Sequence, residues 1–199
     1  MNLSTKLLAI GAAIALTTGA AYAADKPTNP KKQTTLNQYL SAKEVPAFLE
    51  KNKGKTVFID VRTPAEIEFV GHAEGIDKNI PIAYRIYTKF DEKKHRYGTM
   101  INQKFVDEVD ALVKEKGLTK DNAKLVLICR SGDRSAASSK LLAKQGYKTV
   151  YTVIDGFEGD KGKESHKRDV NGWKNAGNKW TYKNDKKIMD FSKPVKVEQ

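Results

Sequence analysis

Four consecutive apolar residues, Leu125 to Ile128, run straight into Cys129-Arg130-Ser131-Gly132-Asp133-Arg134-Ser135, and an alanine-bearing segment follows. The order reads as strand, tight loop, helix, with the cysteine at the strand's carboxyl end. An apolar run without polar alternation suits a strand buried on both faces. Ser131, Gly132 and Asp133 let the backbone turn back sharply, so the N–H groups of Arg130 to Ser135 are expected to converge on the sulfur ahead of a helix N-terminus. Such a nest favours thiolate over thiol, and Arg130 and Arg134 add positive charge. Cys129 is the only cysteine in the chain. A lone cysteine is ordinarily a small buried hydrophobe; its place at this loop is what assigns it a nucleophile's role.

The rest of the chain repeats the alternation. Ser41-Ala42-Lys43-Glu44 has the spacing of a capping box opening a short helix toward Asn52, with Pro46 early enough to be tolerated. Thr56 to Asp60 reads as a buried strand. Thr63-Pro64-Ala65-Glu66 then combines an N-cap, proline at the first helical position and glutamate three residues after the cap, and Gly71 ends that helix. Phe105, Val106, Val109, Leu112 and Val113 keep helical spacing before Gly117, the segment 135–145 forms a helix closed by Gly146, and Thr149 to Ile154 forms one more strand. The expected fold is therefore α/β: a mainly parallel central sheet with helices on both faces. Ligands of such sheets bind beyond the strands' carboxyl ends, which is where Cys129 falls.

Residues 1–23 carry the parts of a secretory signal: Lys6, an apolar core from Leu7 to Leu16, and Ala21-Tyr22-Ala23 as cleavage site. The expectation is an exported, periplasmic protein cut after Ala23. Residues 24–33 are polar and proline-bearing and suit a flexible mature N-terminus. Residues 34–160 form the domain. Residues 161–199 form a basic extension whose Trp173, Trp180, Tyr182 and Phe191 are expected to pin an irregular tail onto the domain. The net charge of +12 comes from lysines interspersed with acidic residues, a mixed solvated surface rather than a nucleic-acid stripe. No later stretch is long and apolar enough to span a bilayer, so neither nucleic acid nor membrane is expected as a partner, and the chain is expected to be a monomer. No His, Cys and Asp spacing resembles a metal site.

Cys129 to Ser135 resembles the active-site loop of the rhodanese (thiosulfate sulfurtransferase) family. Asp60-Val61-Arg62 with Gly71-His72 is similar to the family's Asp-x-Arg and Gly-His signatures, and Asp155-Gly156-Phe157-Glu158-Gly159 to its terminal glycine turn. Beyond Gly71-His72 the chain departs from the family pattern with Ala73-Glu74-Gly75-Ile76, and residues 85–100 look like an insertion. The resemblance implies a Cys129 persulfide, a small anionic donor such as thiosulfate, and a thiol, cyanide or partner-protein acceptor. It implies no cofactor and no metal. Candidate substrate contacts are Arg130, Ser131, Gly132, Asp133, Arg134, Ser135, Asp60 and Arg62. For Arg130 and Arg134 substrate contact and structural pairing stand open alike, whereas Asp60 and Arg62 are read first as a pair ordering the strand–helix junction. Glu66 is read as a cap, and His72 as a junction residue. A phosphatase or arsenate reductase of the related Cys-loop type would place five residues between Cys and Arg; the six-residue loop Cys129 to Arg134 suits a single sulfur atom. A sulfur carrier or partner-binding module is the remaining alternative.

Overall fold

The computed structural model describes residues 24–189. The signal read at 1–23 and the last part of the extension, Phe191 included, lie outside the described residues. In chain order the elements are β1 (Tyr39–Leu40), α1 (Val45–Lys51), β2 (Thr56–Asp60), α2 (Pro64–Val70), β3 (His72–Ala73), β4 (Lys78–Asn79), β5 (Ala83–Asp91), β6 (Arg96–Ile101), α3 (Phe105–Glu115), β7 (Lys124–Ile128), α4 (Asp133–Lys144), β8 (Thr149–Val153) and β9 (Trp180–Thr181).

Five strands form one sheet in the order β1-β8-β7-β2-β4, and every neighbouring pair in it is parallel. Alternating residues feed two cores. Val57, Ile59, Leu125, Leu127 and Val150 pack with Phe105, Val109 and Leu112 of α3 and Leu142 of α4. Phe58, Val126, Ile128 and Val153 pack on the opposite face with Val45 and Phe48 of α1. Parallel strands need such cover on both faces, because the connecting helices lie there. Val61 donates to the Ile128 carbonyl at 2.9 Å, so the chain leaving β2 stays beside the chain leaving β7. That tie brings Arg62 and Cys129 to the same end of the sheet.

The α2 start forms as its sequence requires: Thr63 Oγ1 accepts from the Glu66 amide, and the Glu66 carboxylate accepts from the Thr63 amide. At α1 the outcome differs. Glu44 Oε2 accepts from both the amide and hydroxyl of Ser41 at 2.7 Å, yet this closes a turn before the helix, which begins only at Val45. Pro46 brings no amide to that first turn.

Two segments are more ordered than composition suggested. Residues 24–33 are not a loose arm: Ala24 donates to the Tyr39 carbonyl, Pro30–Lys32 forms a 3-10 turn, and Lys32 pairs with Asp160 at 2.7 Å. The extension is partly core. Trp173 is 2% exposed and joins the α1-side cluster, its indole donates to the Lys179 carbonyl, and β9 pairs antiparallel with β3. Trp180 packs against that cluster, while Tyr182 stays exposed. Residues 83–101 form a separate antiparallel hairpin, β5 with β6.

Candidate active site

Cys129 leaves β7 buried, 1% exposed, with its sulfur turned toward the start of α4. The Gly132 amide donates to Sγ at 3.1 Å, and Ser135 Oγ lies 3.6 Å from it. The nest is narrower than expected: of the amides from Arg130 to Ser135, that of Gly132 reaches the sulfur. Ser135 is engaged a second time, donating to the Gly132 carbonyl at 2.8 Å.

Gly132 has to be glycine. Its φ of 101° lies in the left-handed region, and a Cβ there would stand 2.2 Å from the Ile154 carbonyl oxygen. The turn Asp155 to Gly159 clamps the loop from below. Phe157 donates to the Cys129 carbonyl at 2.7 Å, while Glu158 and Gly159 both donate to that of Arg130. Gly156 comes so close that a Cβ on it would lie 2.5 Å from the Cys129 oxygen. Asp155 in turn accepts from the amides of Ala42 and Gly172, and burial pushes its carboxyl above the usual range despite those bonds. Lys32, which sequence reading passed over, lays its aliphatic stem against Gly132 while its ammonium meets Asp160.

The arginines divide by role. Arg134 makes a two-pronged pair with Glu66, both contacts at 2.6 Å. Burial works against the Arg134 charge, but the Glu66 carboxylate outweighs it, with Cys129 and Asp60 adding, and holds the guanidinium above its ordinary value. Burial likewise works against the Glu66 charge; Arg134 and Thr63 overcome it and hold the carboxyl down at about 2. Of the two roles left open for Arg134, the geometry shows the structural one.

Arg130 is exposed on the loop. Arg168, in the extension, donates to the Gly159 carbonyl. Burial lowers its affinity for a proton, and repulsion from Arg130 adds to that, so two cations stand near one another at the loop. Nothing local in the sequence marked Arg168, which is one cation in a Lys-rich stretch.

Asp60 and Arg62 do not line the mouth. Both side chains are 0% exposed and joined at 2.7 Å. Asp60 also accepts from the Arg62 amide, and Arg62 reaches on to the Gly71 carbonyl at 2.8 Å and lies over the Phe157 ring at 4.2 Å. Within the pair Arg62 Nη1 is left without a hydrogen-bond partner, but it is closed off from solvent with the rest of the side chain, so substrate contact is not assigned to either residue. Asp133 is exposed in the first turn of α4, and Ser131 is half-buried. His72 engages the carbonyl oxygens of Ala73 and Lys183.

Residues 41–163 match the family described as Rhodanese-like domain. An uncharacterized protein of Rickettsia prowazekii, RP600, is 29% identical over 126 residues, 62% of this chain and 81% of its own length. A second, RC0915 of Rickettsia conorii, is 28% identical over the same shares. The crystal structure of Rv0390 from M. tuberculosis aligns over 73% of this chain and 97% of its own at 24% identity and a TM-score of 0.52, a likeness of fold.

Proposed function

This chain belongs to the rhodanese-like domain family, a family generally of sulfurtransferases, and from that premise we propose that it moves a sulfane sulfur from thiosulfate or a similar donor to a thiophilic acceptor through a persulfide on Cys129. The Cys129 thiolate attacks the outer sulfur of the donor. The new S–S bond forms as the donor's own S–S bond breaks, and the electron pair leaves with sulfite. An acceptor nucleophile, cyanide or a thiol, then attacks the outer sulfur of the persulfide and returns Cys129 as thiolate. Both half-reactions are displacements at sulfur. They require no redox partner.

The observation that carries this reading is the Gly132 amide directed at Sγ from 3.1 Å, at the mouth of a helix whose N-terminus carries partial positive charge. A preset donor stabilises the negative sulfur before and after transfer without reorganising. Burial of Cys129 supports the same reading, since it shields a persulfide from adventitious thiols. Arg130, exposed on the loop, and Arg168, held by the Gly159 carbonyl, are the cations suited to draw the donor's sulfonate end.

Intact-mass measurement tests the proposal. Thiosulfate should add the mass of one sulfur atom, and cyanide should remove it as thiocyanate. Cys129→Ser should gain no mass and show no turnover while melting near the wild-type temperature, because serine differs little in volume and still accepts from the Gly132 amide. A loaded protein that cyanide discharges but does not turn over would be a sulfur carrier. No mass gain from thiosulfate or other sulfane donors, with the thiol shown to be reduced, would overturn the persulfide.

A further inference from the structure

Of the seven large apolar side chains that stand exposed among the described residues, four lie on the β5–β6 hairpin: Tyr87 (69% exposed), Ile101 (53%), Phe90 (47%) and Tyr97 (44%). They also share one face. Cross-strand partners in the register are Ala83 with Ile101, Arg85 with Thr99 and Phe90 with Tyr97, while an irregularity between Ile86 and Phe90 keeps Tyr87 on the same side. Tyr97 meets both Tyr87 and Phe90 edge-on, with ring centroids 5.2 Å apart in each case. The opposite face carries Tyr84, Ile86 and Met100, which are half-buried. Among the described residues the hairpin pairs with no third strand. A half-buried hairpin ordinarily turns its polar side to water; this one turns out a packed aromatic ridge.

Cations accompany the ridge: Arg85 shares its face and Lys93 and Lys94 stand at the turn, while Arg96, opposite Asp91, and Lys89, beside Gly98, belong to the other face. Arg85, Lys89, Lys93, Lys94 and Arg96 face only Asp91 and Glu92 within the hairpin, and Lys94 already neutralises Asp91 at 3.0 Å. We propose that this hairpin docks the protein on an anionic lipid bilayer. Tyrosine and phenylalanine rings settle at the boundary between headgroups and acyl chains, and lysines and arginines beside them are drawn to anionic headgroups. Spread favours a bilayer over an acidic protein: the exposed rings run along the hairpin, and the cations occur on both strands and in the turn rather than gathered against one acidic spot. A plane of negative charge laid on the ridge meets Arg85 and the turn lysines together, and the chain's +12 adds long-range attraction to it. No helix among the described residues is long and apolar enough to cross a membrane, so this attachment is peripheral and salt-sensitive. It revises the expectation of no membrane contact, which rested on the lack of a span. It stands independently of the chemistry at Cys129.

The test is co-sedimentation of the purified protein with vesicles of phosphatidylcholine alone and of phosphatidylcholine with phosphatidylglycerol in equal parts, over a range of salt. Binding should appear with phosphatidylglycerol and fall as salt rises. Two variants should each weaken it by roughly tenfold or more: Tyr87→Ser with Phe90→Ser and Tyr97→Ser, and Lys93→Gln with Lys94→Gln. The lysine variant touches only exposed side chains, so it decides the matter if the aromatic variant misfolds. Absence of vesicle binding, equal binding to both vesicles, or wild-type binding by the lysine variant would overturn the proposal. So would self-association that the aromatic variant abolishes while no vesicle sediments, which would assign the ridge to a second copy of the chain.

Discussion

Replacing Glu66 by glutamine isolates the charge that ties α2 to α4. Glu66 Oε2 accepts from the Thr63 amide at 3.1 Å and from Arg134 Nη1 at 2.6 Å, while Oε1 accepts from Arg134 Nη2 at 2.6 Å. Glutamine keeps the shape and one carbonyl for the cap, but gives the guanidinium an amide in place of its anion. The carboxyl falls from 4.5 to about 2 in the folded chain, which at about 1.4 kcal/mol per pH unit is a linkage of about 3 kcal/mol. The side chains of Arg134 and Glu66 are 29% and 22% exposed, so solvent screening reduces the expected effect to about 2 kcal/mol. The sign follows from the direction: the folded carboxyl is depressed, so its contribution is complete above the unfolded value of 4.5 and is lost as pH falls toward about 2. Urea unfolding of both proteins from neutral pH downward measures it. The wild type should lead by about 2 kcal/mol at neutral pH, and the gap should close across that acid window. A gap that stays constant into acid would mean that glutamine's loss is one of hydrogen-bond geometry and not of charge, and the linkage argument would be refuted.

Arg134, paired with Glu66, should separate kinetically from Arg130 and Arg168. Arg130→Ala and Arg168→Ala are each expected to lower kcat/KM for thiosulfate by roughly ten- to hundredfold, with loading by an uncharged sulfane donor little changed; an equal loss with both donors would remove them from donor binding. Gly132→Ala forces a Cβ to within 2.2 Å of the Ile154 oxygen at a φ of 101°. It should destabilise the fold by about 2–4 kcal/mol and slow persulfide loading, as thermal melting and intact mass would show. A variant that melts and loads like the wild type would mean that the Gly132 amide does not need this conformation.

What could be read from the chain beforehand was local chemistry. Thr63-Pro64-Ala65-Glu66 announces a helix start because all the groups that satisfy it lie within four residues. The Cys129 loop was legible for the same reason: an apolar run, small turn residues and a helix in succession. Recognition failed where a partner is distant. Lys32 looked like part of a loose arm because Asp160, which holds it, lies 128 residues on. Arg168 was one cation among many until the fold set it beside Arg130. The hairpin was seen only as an insertion, since the irregularity between Ile86 and Phe90 breaks the two-residue alternation that marks a strand and the apolar residues line its outer face.

Arg134 shows how the two kinds of information meet. From the loop alone, its guanidinium served equally well as a donor's counter-charge or as a strut, because a planar fork fits either anion. What decides is Glu66, 68 residues away, placed there by a capping box that needed a glutamate for its own reasons. One carboxylate therefore starts α2 correctly and fixes the first turn of α4, at whose N-cap Gly132 presents its amide to the sulfur. The helix cap and the candidate nucleophile are mechanically joined. That junction accounts for why a thiol buried to 1% exposure can be held at one distance from its amide by a loop with no regular structure of its own.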